Sequence, residues 1–270
     1  MKATVLVDNI SNGDIKGEWG LCIHIEYNGK EILLDAGASG LFTENAKKLG
    51  IELEDIDYAV LSHAHYDHAN GMYEFFKIND KAKFYIRDAC RENCYTKVWI
   101  FHKYIGMPRG VLKVFRKRII YASGNYAIAD GISLIPHKAK GLHKIGQREK
   151  MYLKQKNRWV PDDFSHEQSL VFDTPEGPVI FNSCSHGGAA RIIKEVSAVY
   201  PDKRPLALIG GFHLFNKSEK EVRRLAGKIK ETGIKYIYTG HCTGQRSYEI
   251  LKEELGDIVH QLKAGLIMEF

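Results

Sequence analysis

One short segment, LSHAHYDHANG, concentrates residues that bind metal ions. It contains the pattern His-x-His-x-Asp-His, formed by His63, His65, Asp67 and His68. Imidazole nitrogens and carboxylate oxygens suit zinc, iron or manganese. The first two histidines point to one side of an extended segment, and the Asp-His pair falls at the turn into a helix, where it can hold a second ion. A chance His-rich solvent loop is the alternative, and the apolar run YAVL just before the motif argues against it.

Three further histidines follow predicted strands in the second half of the chain: His186 in FNSCSHGG, His213 in GGFHL and His241 in YTGHCTG. A lone His after a strand is more often a structural hydrogen-bonding residue. Three at equivalent places favour ligands, because sites in α/β sheets collect outside the carboxyl ends of strands. We predict His186 and His241 as ligands, with His213 the weaker candidate. Asp35, which ends the strand KEILLD, is predicted to accept the second ring N–H of a ligand His, with a loop cap as the alternative.

Strand-like and helix-like segments alternate around these residues. The strands WGLCIHIEY and KEILLD flank Asn28-Gly29, which is typical of a type I′ hairpin turn. QSLVFDT and PVIFNSCSH form a second predicted hairpin around residues 175–177. Helices are predicted near residues 41–49, 189–199 and 217–231. Hairpins mixed with helical crossovers indicate mixed sheets in two similar α/β halves.

Residues from about 88 to 160 fit neither half. The stretch RDACRENCYTKVWIFHKYIGMPRG is predicted to be a helix that ends near Gly106. HKAKGLHKIGQREKMYLKQKNRWVPDD is predicted to be a long polar loop or lid. Long excursions from a compact domain often face the substrate. We therefore predict a substrate-facing lid insertion at about 88–160, with poor order as the alternative.

The composition is that of an ordinary globular domain, with 270 residues, 44% hydrophobic and 27% charged. No apolar run approaches the ~20 residues of a membrane helix, and the N-terminal apolar stretch is too short for a secretory signal. Five cysteines, odd in number and dispersed, are typical of free thiols in a reducing compartment. We therefore predict a cytoplasmic protein. The net charge of +6 is typical of solvated surface Lys and Arg, and this interpretation is favoured over binding of an anionic substrate or nucleic acid.

The segments HAHYDH and LLDAG and the later single histidines resemble the metallo-β-lactamase superfamily, over essentially the whole chain. SHEQSLVF, NSCSHGG, IGGFHL and TGHCTG resemble, more narrowly, the branch of dihydropterin-ribofuranosyl-aminobenzene phosphate synthase-like proteins. The resemblance implies a single domain over residues 1–270, an α/β (α+β) sandwich of four layers, αββα, with two mixed sheets flanked by helices. It also implies two divalent metal ions, zinc first and iron or manganese as alternatives. The implied ligands are His63, His65 and His186 for the first ion, and Asp67, His68 and His241 for the second.

The sequence departs from the superfamily at one position. Members usually carry an Asp that bridges the two ions, between the third and the last ligand. This chain has no Asp between Lys203 and His241. The affinity of the second site is therefore in question, and His213 could substitute for the bridge or contact substrate.

The predicted activity is hydrolysis, by a metal-activated hydroxide, of a small ester, lactone, thioester or phosphodiester, anionic substrates included. Asp67 could also orient the hydroxide, and His213 could donate to the developing oxyanion or leaving group. Backbone N–H groups of residues 185–188 could bind an anion, or their glycines could simply allow a tight turn. A nuclease acting on RNA or DNA and a non-catalytic metal sensor are the alternatives. A small-molecule substrate is expected, without membrane or nucleic-acid binding; the oligomeric state stays open.

Overall fold

The computed structural model describes residues 1–270, which form two seven-stranded sheets, a third sheet of four strands, and helices. The strands are, in chain order, β1 (Lys2–Val7), β2 (Cys22–Tyr27), β3 (Lys30–Leu34), β4 (Tyr58–Val60), β5 (Lys83–Arg87), β6 (Cys94–Val98), β7 (Phe101–Tyr104), β8 (Ile119–Ala122), β9 (Tyr126–Ala129), β10 (Ile132–Pro136), β11 (Met151–Gln155), β12 (Arg158–Pro161), β13 (Gln168–Thr174), β14 (Gly177–Phe181), β15 (Ala207–Gly210), β16 (Tyr236–Thr239), β17 (Val259–Gln261) and β18 (Ile267–Glu269). The α-helices are α1 (Leu41–Lys48), α2 (Tyr66–Ala69), α3 (Met72–Ile78), α4 (Val111–Val114), α5 (His143–Arg148), α6 (Ala189–Ser197), α7 (Glu219–Lys230) and α8 (Gln245–Leu255). Short 3₁₀ turns lie at Leu53–Asp55, Arg116–Arg118, His241–Thr243 and Gly256–Ile258.

The first main sheet has the order β18-β1-β2-β3-β4-β5-β8. Its strands pair antiparallel from β18 to β3 and parallel from β3 to β8. Asn28 and Gly29 join β2 to β3, with φ of 50° and 70°. Tyr27 pairs with Lys30 across them. This two-residue turn with positive φ at both positions confirms the predicted hairpin.

The second main sheet has the order β17-β16-β15-β14-β13-β10-β9. It is parallel from β17 to β14 and antiparallel from β14 to β9. Each sheet therefore joins an antiparallel half to a parallel half, so both are mixed, and the two halves of the chain repeat one arrangement. The parallel strands end at one edge, which places the loops after β4, β14 and β16 near one another.

Three apolar clusters form the core. One lies between the two sheets, where Ile23 and Ile25 of β2 belong to the same cluster as Leu170 and Phe172 of β13. A second packs the first sheet against α1 and α3, and a third packs the second sheet against α6, α7 and α8. The order of layers is helix, sheet, sheet, helix, which confirms the predicted αββα sandwich. The inner strands are buried on both faces and have almost continuous apolar sequences.

Two secondary-structure predictions within residues 88–160 are wrong. The predicted helix ending near Gly106 is the antiparallel hairpin β6–β7, in which Trp99, with φ of 55°, occupies the turn. Aromatic and β-branched residues dominate this stretch, and they suit a pleated surface better than a helix. The predicted polar loop contains α5 and the antiparallel pair β11–β12.

The range 88–160 also contributes to the main sheets, through β8, β9 and β10. Its remaining strands form the third sheet, in the order β12-β11-β6-β7. The tip of this sheet exposes apolar side chains, with Trp99 90% and Ile100 79% exposed. The lid function of this range stays a prediction. None of the helices in the molecule combines the length and apolar character needed to span a bilayer.

Candidate metal centre

Loops at the carboxyl ends of parallel strands bring all the predicted ligands to one edge of the sandwich. The His-rich loop follows β4, His186 follows β14 and His241 follows β16. All these side chains are buried. The structure thus brings together, from three distant parts of the sequence, His63, His65, Asp67, His68, His186 and His241.

The first group consists of His63, His65 and His186, whose ligand atoms lie within 4.8 Å of one another. The Nε2 atom of each ring is buried and has no hydrogen-bond partner. Burial, reinforced by neighbouring histidines, lowers the pKa of His65 to about 3 and the pKa values of His63 and His186 well below their usual range. The three imidazoles are therefore neutral, with free lone pairs, which is the state that a divalent cation requires. This set of donors fits a metal ion.

The second group consists of Asp67, His68 and His241, whose ligand atoms also lie within 4.8 Å of one another. The two Nε2 atoms are 3.2 Å apart, and Asp67 Oδ2 is 3.7 Å from one and 3.5 Å from the other. His68 Nδ1 donates to Asp35 Oδ2 at 2.7 Å, and His241 Nδ1 donates to Asn9 Oδ1 at 3.1 Å. Because Nδ1 of His68 carries its ring proton, the Nε2 lone pair of His68 faces His241 Nε2. The two Nε2 atoms and the carboxylate lie close enough to hold one cation in place of a proton, so this group also fits a metal ion.

A proton can compete with a metal ion in the second group. Burial alone would lower the pKa of His241, but Cys242 and the Asp67 carboxylate outweigh it and raise that pKa to about 9. Burial would likewise raise the pKa of Asp67, but His68 and His241 hold it well below its usual range. Asp67 is therefore a carboxylate, and a metal ion that bound to His241 would displace a proton.

Asp35 is fully buried and accepts four hydrogen bonds. Its Oδ1 atom accepts from Ser62 N at 2.7 Å. Its Oδ2 atom accepts from Ser62 Oγ at 2.8 Å, His68 Nδ1 at 2.7 Å and Ser183 Oγ at 2.6 Å. The Asp35 carboxylate thus accepts a hydrogen bond from Nδ1 of His68, a candidate ligand, and fixes the tautomer of that ring. Its effect on metal binding stays a prediction.

The backbone is strained at several points of the site. The non-glycine residues Asp35, Ser185, His213 and His241 have φ of 60°, 49°, 50° and 45°. The left-handed region costs such residues about 1–2 kcal/mol each, and strain of this kind clusters at functional sites. Each of these residues lies within a few residues of the end of a strand, where the chain turns sharply beside the site.

Close backbone contacts hold the His-rich loop in place. A Cβ atom at Gly71 would lie 2.0 Å from the Ala36 carbonyl oxygen, so only glycine allows the loop to pack here. Tyr66 N donates to the Ile105 carbonyl at 2.9 Å, which ties the loop to the segment that leaves the third sheet. The ligands are therefore positioned by both the first sheet and the inserted residues.

His213 lies beside the first group and outside the groups of ligand atoms. Its ring centroid is 4.5 Å from that of His186, and its buried Nδ1 atom has no hydrogen-bond partner. It lines a cavity of about 170 Å³ together with His65, Asp67 and His186. This position favours a contact with substrate over metal ligation, and the catalytic role predicted for His213 stays a prediction.

N–H groups of the turn at residues 185–188 donate hydrogen bonds within the protein. His186 N donates to the Glu167 carboxylate at 3.2 Å, and Gly188 N donates to the Ser185 carbonyl at 2.8 Å. Because these donors are already engaged, the structure favours the tight-turn interpretation over the anion site.

Two residues outside the predicted ligand set contact the candidate ligands, and nothing in the sequence pointed to the first. Trp19 Nε1 donates to Asp67 Oδ2 at 3.0 Å, and its ring packs 5.4 Å from that of His241. Cys184 Sγ lies 3.3 Å from His68 Nε2. Only the cysteine carried a signal, because it stands two residues before a candidate ligand, whereas the Trp19 contact depends on tertiary structure.

A third group of possible ligand atoms, from His65, Cys94, Asp162 and His166, lies beside the first. His166 accepts from Ala64 N at 3.2 Å through Nδ1 and donates to Asp162 Oδ2 at 3.0 Å through Nε2. Both nitrogens of His166 are thus satisfied, and this pair holds the His-rich loop from behind.

A cavity of about 890 Å³ lies away from these groups. Its lining includes Lys2, Tyr236 and Phe270, near the opposite ends of the strands that carry the ligands. None of the groups of candidate ligand atoms includes a residue of its lining. The smaller cavity at the histidines is therefore the candidate reaction site.

Comparison with known proteins identifies relatives over nearly the whole chain. Residues 20–241 match the model of the Metallo-beta-lactamase superfamily. A Methanocaldococcus jannaschii protein named 7,8-dihydropterin-6-methyl-4-(beta-D-ribofuranosyl)-aminobenzene-5'-phosphate synthase is 28% identical over 268 residues, covering 92% of this chain and 88% of that protein. Tm1679, a metal-dependent hydrolase of the beta-lactamase superfamily, is similar in structure with a TM-score of 0.86 and 26% identity, covering 100% and 99% of the two chains. Human tRNase Z, short form, shares the fold alone, with a TM-score of 0.56 and 13% identity over 100% of this chain and 99% of that chain.

Proposed function

The chain belongs to the metallo-β-lactamase superfamily, and from this premise we propose that it hydrolyses a small ester, lactone, thioester or phosphodiester. It is a hydrolase-like protein of this fold with buried His, Asp and Cys clusters, and its relatives are enzymes of the superfamily. The proposal includes the substrate class, the use of zinc, the presence of two ions and a cytoplasmic location.

The observation that carries the proposal is a set of three neutral, unpartnered imidazoles, two of which, His65 and His186, line a cavity. His63, His65 and His186 each direct a buried Nε2 atom to no partner in the protein. A buried polar group without a partner costs about 1–3 kcal/mol. A fold that keeps three such atoms together gains from a ligand that accepts all three lone pairs, and a divalent cation is such a ligand.

The ions would be held by His63, His65 and His186 and by Asp67, His68 and His241. When bound, they polarise the scissile carbonyl or phosphoryl group and supply hydroxide at neutral pH. Asp67 is kept as a carboxylate and is oriented by the Trp19 N–H, so it can accept a hydrogen bond from the attacking water. His213, with its free Nδ1 atom, is positioned to exchange a proton with the leaving group.

The size of the cavity supports a small substrate. Its volume of about 170 Å³ lies below the ~300–1,000 Å³ of typical ligand pockets. Ile105, Met151 and Phe215 give it apolar walls, which suit an uncharged group next to the scissile bond. The jannaschii relative is named as a 5'-phosphate synthase, so phosphorylated substrates belong in the test panel.

The test combines metal analysis of purified protein with a panel of chromogenic esters, lactones, thioesters and phosphodiesters. We expect metal-supported turnover of at least one class, and its loss in His65→Ala and Asp67→Ala with the fold retained. His143→Ala, which removes an exposed histidine of α5, is the control and should keep full activity. Wild-type turnover in either site variant, or a fully loaded enzyme inactive on the whole panel, would contradict the proposal.

A gel-shift titration with RNA and DNA separates the nuclease alternative. Phosphate contacts make nucleic-acid affinity fall steeply with salt. We expect no such binding, and salt-sensitive binding with cleavage would favour the nuclease.

A further inference from the structure

The thiol of Cys184 lies among the candidate ligand atoms. Its Sγ atom is 3.3 Å from His68 Nε2. It forms one group with His63 and His68, and another with His241 and Cys242, with all ligand atoms of each group within 4.8 Å of one another. Cys184 Sγ therefore lies within 4.8 Å of ligand atoms of both sets, one histidine of the first and two of the second.

We propose that Cys184 is a thiolate ligand of the metal centre, located between the two ligand sets, an inference that rests on the proposed function. The Cys184 thiol releases its proton to solvent as the sulfur–metal bond forms, and no oxidant or reductant takes part. Thiolate is a strong ligand for zinc and other soft divalent ions. The side chain is buried, so the sulfur faces the ligands and not the solvent.

Beside the two cysteines, the segment that follows β15 has no space for a side chain at Gly211. A Cβ atom at Gly211, just after β15, would lie 2.5 Å from Cys242 Sγ and 2.9 Å from the Ser183 carbonyl oxygen. This glycine stands in the segment between Lys203 and His241, which lacks Asp altogether. The Cys242 sulfur and the Ser183 carbonyl therefore occupy the volume that a side chain at this position would need.

Cys242 is the neighbour of the proposed ligand. Its Sγ atom is 3.4 Å from Cys184 Sγ and accepts a hydrogen bond from His213 N at 3.3 Å. It lies near His241 but belongs to no group with the other four histidines. We therefore assign Cys242 to the support of the Cys184 thiolate through a sulfur–sulfur hydrogen bond.

Cobalt(II) titration tests the assignment without relying on activity. A thiolate ligand gives cobalt a near-ultraviolet sulfur-to-metal charge-transfer band, which nitrogen and oxygen ligands do not give. We expect this band in the wild type, its loss in Cys184→Ser and Cys184→Ala, and its retention in Cys242→Ser. Cys90→Ser is the matched control, since Cys90 is equally buried but belongs to none of the ligand groups.

Metal competition gives a second measurement. Cys184→Ser should still bind one equivalent through the first group. Its affinity for the second ion should fall by more than the roughly 10–100-fold that loss of an outer-shell partner costs. Thermal melting of each variant checks that it is folded.

Several results would overturn the assignment. A band that persists in both Cys184 variants excludes this ligand, and a band lost only in Cys242→Ser assigns the ligation to Cys242. A native wild type with three titratable thiols in place of five, restored by reductant, identifies a disulfide. Wild-type enzyme that binds two ions and hydrolyses substrate without the band refutes this inference alone. Protein that binds no metal at all refutes the proposed function with it.

Discussion

Asp35→Asn tests how the protein orients a ligand histidine. Asp35 is fully buried and accepts four hydrogen bonds of 2.6–2.8 Å, one of them from His68 Nδ1. Asparagine has the same shape and tolerates the φ of 60° at this position. The substitution therefore removes a charge and one acceptor oxygen without adding backbone strain.

The expected magnitude follows from these hydrogen bonds. The amide NH2 group that Asp35→Asn introduces would face a donor in either orientation, because both carboxylate oxygens of Asp35 accept hydrogen bonds. A buried donor left unsatisfied costs about 1–3 kcal/mol, and a hydrogen bond to a charged group contributes about 1.5–3 kcal/mol. We expect the free energy of unfolding to fall by about 2.5–6 kcal/mol, the sum of these two contributions. The affinity for the second ion should fall roughly 10–100-fold, because His68 loses the carboxylate that fixes its tautomer and raises its basicity.

Urea unfolding in the presence of a chelator measures the first effect, and competitive metal titration measures the second. Glu31→Gln is the control. Glu31 lies on the same strand, β3, but away from the site, and its carboxylate is 2.5 Å from His24 Nε2. It should leave metal affinity unchanged. If Asp35→Asn loses stability but binds both ions as the wild type does, Asp35 has only a structural role. If stability is also unchanged, the hydrogen-bond reasoning is wrong.

Three further substitutions test other parts of the site. Trp19→Phe removes the N–H that donates to Asp67 at 3.0 Å. The affinity for the second ion should fall by about tenfold or less, because one neutral hydrogen bond contributes about 1 kcal/mol. Equal affinity of variant and wild type in a competition titration would contradict this. His137 is buried, which alone would lower its pKa, but two glutamate partners raise that pKa to about 9. The stabilisation by protonated His137 is therefore fully present below pH ~6.5 and is lost as the pH rises through about 9. In urea titrations, the difference of about 3 kcal/mol in unfolding free energy between wild type and His137→Gln should disappear over this range. A difference that stays constant with pH would refute the ion pairs. Gly71→Ala places a Cβ atom 2.0 Å from the Ala36 carbonyl and should destabilise the protein by roughly 1–3 kcal/mol or more and weaken metal binding, whereas a neutral change in denaturant midpoint would show that the loop can shift.

The sequence predicted the family and the sandwich because the necessary information is local. The His-x-His-x-Asp-His motif lies within six residues, and each further ligand candidate directly follows an apolar strand. The family match and the observed layers confirm the resemblance that these segments indicated. The strand ends that carry the ligands were predictable for the same reason, since a buried strand and the residue after it are read from one short window.

The partners of the ligands were not predictable, because tertiary structure alone brings them close. Asn9 contacts His241 from 232 residues away, and Trp19 contacts Asp67 from 48 residues away. The hairpin β6–β7 was predicted as a helix because its apolar residues show no clear period of two. It also lies outside the main sheets, since β6 pairs with β11 and β7 pairs with β6. Local patterns identify ligands, whereas the residues that orient them emerge only from packing.

The fold holds strained backbone at this site. Asp35, Ser185, His213 and His241 have left-handed backbone conformations. These costs, about 1–2 kcal/mol for each strained residue, are offset by the three apolar clusters of the core. A ligand that binds only the folded state stabilises it by about 4 kcal/mol at roughly 1,000 times its Kd. Metal binding should therefore raise the stability of a site that is already formed, because the strand ends and their hydrogen bonds place the imidazoles together in the folded chain itself.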